Sequence, residues 1–164
     1  MKKNVLILLI VSLFFSCKQT EKELEIDEVA KPTNEKSVSE IKAELKEKGF
    51  GTFDYIDAKT QDTILMQQYF IAFLKKGTLR SQTKEEADSL QTLHLAHLGK
   101  MYDLGYADIS GPFGDDGDIR GITIYNVPNL KMADSLANSD PMVKAGRLII
   151  EVHPWWAAKG FPLR

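Results

Sequence analysis

Cysteine is nearly absent from this 164-residue chain, where Cys17 stands alone. No internal disulfide can staple the fold, so a compact domain has to be held by its hydrophobic core. Long apolar runs are missing as well. The longest, Val5 to Phe15, has eleven residues including Ser12, against the roughly 20 that a helix needs to cross a bilayer. Neither sign of charge dominates, with 21 Lys and Arg against 23 Asp and Glu. There is no basic stripe interleaved with aromatics, which argues against nucleic acid as a partner. No G-x-G-x-x-G and no G-x-x-x-x-G-K-[ST] occurs, so no nucleotide cofactor is implied. Thiolate zinc sites are excluded by composition, and H-x-x-H at His94 and His97 lacks a further arranged ligand, so no metal is expected. Asp115-Asp116-Gly117-Asp118 lacks the spaced ligands and closing Glu of a calcium loop and reads as a turn.

What the chain does have begins at its first residues. Met1-Lys2-Lys3 ahead of the apolar run is signal-peptide architecture, and its shortness favours cleavage over a permanent span. Leu13-Phe14-Phe15-Ser16-Cys17 resembles the lipobox of bacterial lipoproteins, in which the cysteine receives diacylglycerol and becomes the new N-terminus. Phe14 and Phe15 are bulkier than that pattern prefers, and a general secretory peptide with an incidental cysteine is the alternative. The resemblance implies a protein held at the cell envelope, on the periplasmic or surface side, by lipid on Cys17. Loss of residues 1–16 removes Lys2 and Lys3 and no acid, which moves the formal charge from −2 to −4. Residues 17–35 are too polar for a core face and read as a tether.

Residues 36–62 read as an appended helix and linker. Val38, Ile41 and Leu45 recur at helical spacing from Ser37 to Lys48, and Gly49 offers a stop. The compact domain is expected over 63–158. It opens with a strand, Thr63 to Leu74, ending at Lys75-Lys76-Gly77. A helix capped by Thr83, with Glu86 three residues later, follows; its stripe of Leu90, Leu93, His97, Met101 and Leu104 faces inward and Gly105 closes it. Strands at Ala107 to Ser110 and Arg120 to Val127 flank the acidic turn. A helix from Leu130 to Ala137 is broken by Asp140-Pro141, and Leu148 to Val152 is the last strand. The order β-α-β-β-α-β predicts an α+β, ferredoxin-like fold with an antiparallel sheet covered by both helices on one face. The first strand is apolar on both parities, so its second face needs cover. A second copy placed sheet against sheet is the expected solution, a homodimer, with the N-terminal helix as the alternative.

Five pieces in order carry a further resemblance: YFIAFLKKG, HLAHLGKMYDLGY, SGPF, ADSLANSDPMVKAG and IIEVHPW. Over residues 64–156 the chain resembles the YCII-related (YciI-like) domains. That resemblance implies the dimeric α-β barrel variety of the ferredoxin-like fold and an active site made of His97 and Asp140. It supplies no substrate beyond an unknown small molecule. Many members carry an arginine where His94 stands, and His153 replaces the basic residue that often precedes the late proline.

The remaining candidates follow from position. His97, on an apolar stripe, reads by itself as a satisfied core histidine, and Asp140 as a turn before proline; the resemblance moves both toward catalysis. His94, one turn from His97, is a candidate for the same pocket or for the surface. Gly111, Pro112, Phe113, His153 and Trp155 are further pocket candidates, with Gly111 relieving crowding at a strand end. Two functional classes fit: a small-molecule enzyme transferring a proton through a His-Asp pair, and a non-catalytic ligand-binding or interaction module at the envelope.

Overall fold

The computed structural model describes residues 36–163. The signal peptide, the tether and the lipid acceptor Cys17 expected from the sequence lie outside the described residues. No helix among those residues is long and apolar enough to cross a membrane.

Helix α1 (Val38–Glu47) starts where Ser37 and Glu40 form a reciprocal capping box, each side chain bonding the other's backbone N–H. It stops at Gly49, whose φ of +83° is left-handed. The linker expected after it is a hairpin instead. Strand β1 (Thr52–Ile56) pairs antiparallel with the start of β2 (Thr63–Lys76), from Thr52 opposite Gln67 to Ile56 opposite Thr63. Asp57 shapes the connection by accepting from the backbone N–H groups of Lys59 and Thr60 at 2.9 Å, an Asx arrangement that no hydrophobic pattern reveals.

Helix α2 (Lys84–Asp103) carries the capping box expected of Thr83 and Glu86. Strands β3 (Ala107–Pro112) and β4 (Ile119–Tyr125) form a hairpin around the acidic turn. Helix α3 (Leu130–Asn138) gives way to a single turn, α4 (Pro141–Lys144), capped by Asp140 with Pro141 as its first residue. Strand β5 (Leu148–Ala158) runs well past Val152, through His153-Pro154-Trp155.

Every pairing in the sheet is antiparallel. Strand β5 follows β2 along one side, from Met66 to Lys76. The other side of β2 is shared: β1 takes residues up to Gln67, β4 takes Phe70 to Lys75, and β3 pairs beyond β4. The result is an open five-stranded sheet. This corrects the expected ferredoxin-like, dimeric α-β barrel: the chain has an α+β fold whose sheet does not close, because β3 and β5 end it on opposite sides and no strand among the described residues joins them.

Alternation along β2 divides the side chains between two faces. Phe70 and Ala72 pack with Met101 of α2, Ala107, Tyr125, and Ala133 and Ala137 of α3 to form the main core. Leu74, Met142 and Leu148 make a smaller cluster at the far end of the strand. On the other parity, Leu65, Gln67 and Tyr69 are buried, whereas Ile71 and Phe73 are only partly covered. Helix α1 contributes there: Lys42 bonds Asp54, which stands opposite Leu65. The Tyr69 hydroxyl donates to Gln67 Oε1 at 3.2 Å, and Gln67 donates to Asn126 Oδ1 at 2.7 Å. Burial, helped by the nearby charge of Asp108, pushes the Tyr69 phenol up to about 12.

Helix α2 turns only part of its expected stripe inward: Leu90, His97 and Met101 are covered, but Leu93 is 49 % exposed and Leu104 is exposed too, while His94 is buried. Residues 87, 90, 94, 97, 98 and 101 are the covered set, a helical repeat turned by roughly half a residue from the one that hydrophobicity suggests.

Candidate functional site

The rotation of α2 decides which histidine meets Asp140. Asp140 is 2 % exposed, among the most deeply buried ionisable side chains of the described residues. Its Oδ1 accepts from the Met142 backbone N–H at 2.8 Å, which is the cap of α4. Its Oδ2 lies 2.5 Å from His94 Nδ1. The hydrogen bond expected of His97 is therefore made by His94, one helical turn earlier. A buried polar cap close to a second buried polar group is stable only as a satisfied pair, and both carboxylate oxygens are used here.

His97 sits on another side of the aspartate. It borders a separate depression with Leu136, Ser139 and Pro141, and its Nε2 is buried with no partner among the described residues. Burial pushes its imidazole below the ordinary histidine range; the charge of Asp140 and the Leu136 backbone work in the opposite direction without overcoming it. The charge of Asp140 also adds to burial in raising the Tyr125 phenol. The aspartate thus acts on three aromatic neighbours but is joined to one.

His94 opens onto a cleft of about 330 Å³ between α2, the β3–β4 hairpin and the α4–β5 corner. Gly111 and Pro112 line it with His94, so three of the expected pocket residues come together. Gly121, the strand partner of Pro112, borders the cleft beside them; a Cβ there would lie 2.5 Å from the Gly111 carbonyl oxygen, so a side chain would force β3 and β4 apart. Leu74, Met142 and Leu148, the small core cluster, form the apolar floor.

The other expected pocket residues are elsewhere. Phe113 is 44 % exposed and does not border the cleft. His153 and Trp155 stand opposite Ile71 and Tyr69 on β2, which places them on the sheet face away from α2 and α3. The His153 ring meets Phe73 edge-on at 5.8 Å and bonds Glu151, and Trp155 tilts against Tyr69. The correction has a simple cause. The last strand does not stop at Val152, and along β5 a period of two carries residues 153 and 155 to the face away from α2 and α3.

Three arginines that sequence reasoning did not single out also line the cleft: Arg80, Arg120 and Arg147. Arg120 Nη1 donates to Asp116 Oδ1 at 2.6 Å and to the Gly117 carbonyl at 3.1 Å, so the acidic turn holds this side chain. Arg147 Nη1 donates to Gln82 Oε1 at 2.9 Å, and Gln82 donates in turn to the Ala145 carbonyl. Gly146, with φ of +69°, brings Arg147 round the corner; a Cβ there would strike Leu79 at 2.6 Å. No motif spacing links these arginines, since Arg80 comes from the β2–α2 connection, Arg120 from the start of β4 and Arg147 from the α4–β5 connection.

No family model matches the chain, and no curated protein matches it. Among solved structures it is similar to 5-chloro-2-hydroxyhydroquinone dehydrochlorinase from Burkholderia phenoliruptrix AC1100, determined as a complex with 2,5-dihydroxybenzoquinone. The identity is 23 %, the match covers 53 % of this chain and 92 % of that one, and the TM-score is 0.40. The assignment to the YCII-related dimeric barrels made from the motifs is corrected accordingly: no family model supports it, and the sheet is open.

Proposed function

We propose that this chain is a small-molecule enzyme in which His94 moves a proton and Asp140 holds the imidazole in place. The observation that carries this reading is the 2.5 Å contact between His94 Nδ1 and Asp140 Oδ2, made by a ring that also borders the cleft. With Oδ1 of Asp140 engaged by the Met142 N–H, an ionised Oδ2 accepts the proton on Nδ1. That leaves Nε2 with a lone pair for the cleft, the tautomer a general base needs. His94 is 8 % exposed and Asp140 less, so little water competes for either. A positioned base of this kind is typically worth about 10² to 10⁴ in rate.

The test is turnover of small carbonyl and phenolic compounds whose reaction starts by loss of a C–H or O–H proton. In His94→Asn the amide can still donate to Asp140, so the fold is expected to survive while the rate falls by about 10² to 10⁴. Equal turnover by the variant would end the reading. Nitrogen-15 NMR gives a second check on the wild type: a neutral ring carrying its proton on Nε2 would leave the cleft with no base, and the site would then be a binding module.

For the location, we propose attachment of the chain to a bacterial membrane through lipid on Cys17, supported by Lys2, Lys3, the apolar run and Ser16-Cys17. Cys17→Ser is expected to move the protein from the membrane fraction to the soluble one. A variant with its leader cleaved that still sediments with membranes would refute the anchor.

A further inference from the structure

We infer that the His94 cleft takes a small organic carboxylate with an apolar body, gripped by Arg147 and Arg80. The inference rests on the reading of the cleft as a functional site and adds the class of molecule it holds. Three arginines and no Asp or Glu border the cavity. Asp140 lies behind His94 and is occupied by it. Of the three cations, only Arg120 has a carboxylate partner, the highly exposed Asp116. Arg80 and Arg147 have no ion pair among the described residues.

Arg147 gives the sharper indication. Its Nε is buried and has no acceptor among the described residues, although the same guanidinium is fixed through Nη1 to Gln82 and the residue borders the cavity. The guanidinium is always charged and has no carboxylate beside it among the described residues, and a carboxylate is the partner that fits its fork. The neutral Gln82 orients the fork without neutralising it. Leu95, Leu98 and Met142 line the same cavity, so a ligand that is ionic at one end and apolar at the other satisfies both kinds of wall. A cavity of about 330 Å³ is at the small end of ligand sites, suited to a single ring or a short chain.

Calorimetric titration of the full chain with benzoate, benzamide and inorganic phosphate tests this. Benzoate is expected to bind at least about tenfold more tightly than benzamide, the neutral shape analogue, and its affinity should fall with added salt. Arg147→Gln should abolish that preference. Because Arg147 is partly built into the α4–β5 corner, Arg80→Gln on the exposed loop is the companion variant, expected to weaken benzoate about tenfold with an unchanged melting temperature. Equal binding of benzoate and benzamide, or no binding of either, would overturn the inference. Phosphate bound as tightly as benzoate, or adventitious binding unaffected by either arginine variant, would do so too. None of these outcomes depends on proton transfer: a failed titration with His94→Asn still inactive removes the carboxylate but leaves the base, and the reverse result removes the base but leaves the carboxylate.

Discussion

His94 and His97 are three residues apart on one helix and on different sides of one aspartate, yet their surroundings differ in kind. His94 has a partner for Nδ1 and a cleft beside it; His97 has a buried Nε2 with no partner among the described residues and, beside it, a more open depression lined by Lys100 and Lys144 as well as by apolar side chains. The first arrangement fixes a ring nitrogen against a carboxylate, while the second leaves a ring whose burial disfavours the charged form. A buried histidine is therefore informative through its partners and not through its burial, and a turn of helix is enough to exchange the two roles.

The largest effect should come from removing what the two rings share. Asp140→Ala deletes the cap of α4 and the one partner that His94 Nδ1 has among the described residues, and a loss of about 3 to 5 kcal/mol in unfolding free energy is expected from denaturant melts. A loss below about 1 kcal/mol would mean that the pair is not buried in solution.

A smaller effect sharpens the contrast. His97→Asn is expected to cost about 1 kcal/mol and to spare turnover, because this ring fills space and is not joined to Asp140 through its buried Nε2. The same ring sets a pH dependence. Its folded-state value lies below the unfolded one, 6.5, because burial penalises the charged form. The unfolded chain then binds the proton more readily, so this contribution to stability is intact above about pH 6.5 and is lost as the pH falls toward the folded-state value. Melting temperatures recorded from pH 7.5 down to 5 should show this decline in the wild type and less of it in His97→Asn. A decline of the same size in both would assign the titration to another group.

The smallest effect concerns the stripe itself. Leu93 was expected in the core but is 49 % exposed, so Leu93→Ala should change stability by no more than about 0.5 kcal/mol. A loss of about 2 kcal/mol or more, the size typical of an emptied core position, would mean that α2 faces the sheet through Leu93 and Leu104, and that His97, not His94, points to Asp140.

The sequence by itself determined what depends on neighbours along the chain. The capping boxes at Ser37 and Thr83, the stop at Gly49, the doubly apolar β2 and the break at Asp140-Pro141 are all local signals, set by backbone donors and side chains within four residues of each other. The tertiary structure alone decided the rest. The hairpin at β1 pairs residues whose pattern is weakly apolar, and the length of β5 is fixed by β2 beside it, through Pro154, which by itself argues against a strand. The site depended on distance most of all. Hydrophobicity ranks Leu93 above His94 for the inner face of α2, and only Asp140, 46 residues away, reverses that ranking by giving the imidazole a partner. Arg80, Arg120 and Arg147 border one cleft because the β2–α2 connection, the start of β4 and the α4–β5 connection lie around it, a fact that no spacing in the sequence encodes, since charge is conspicuous in a chain only when it is clustered there.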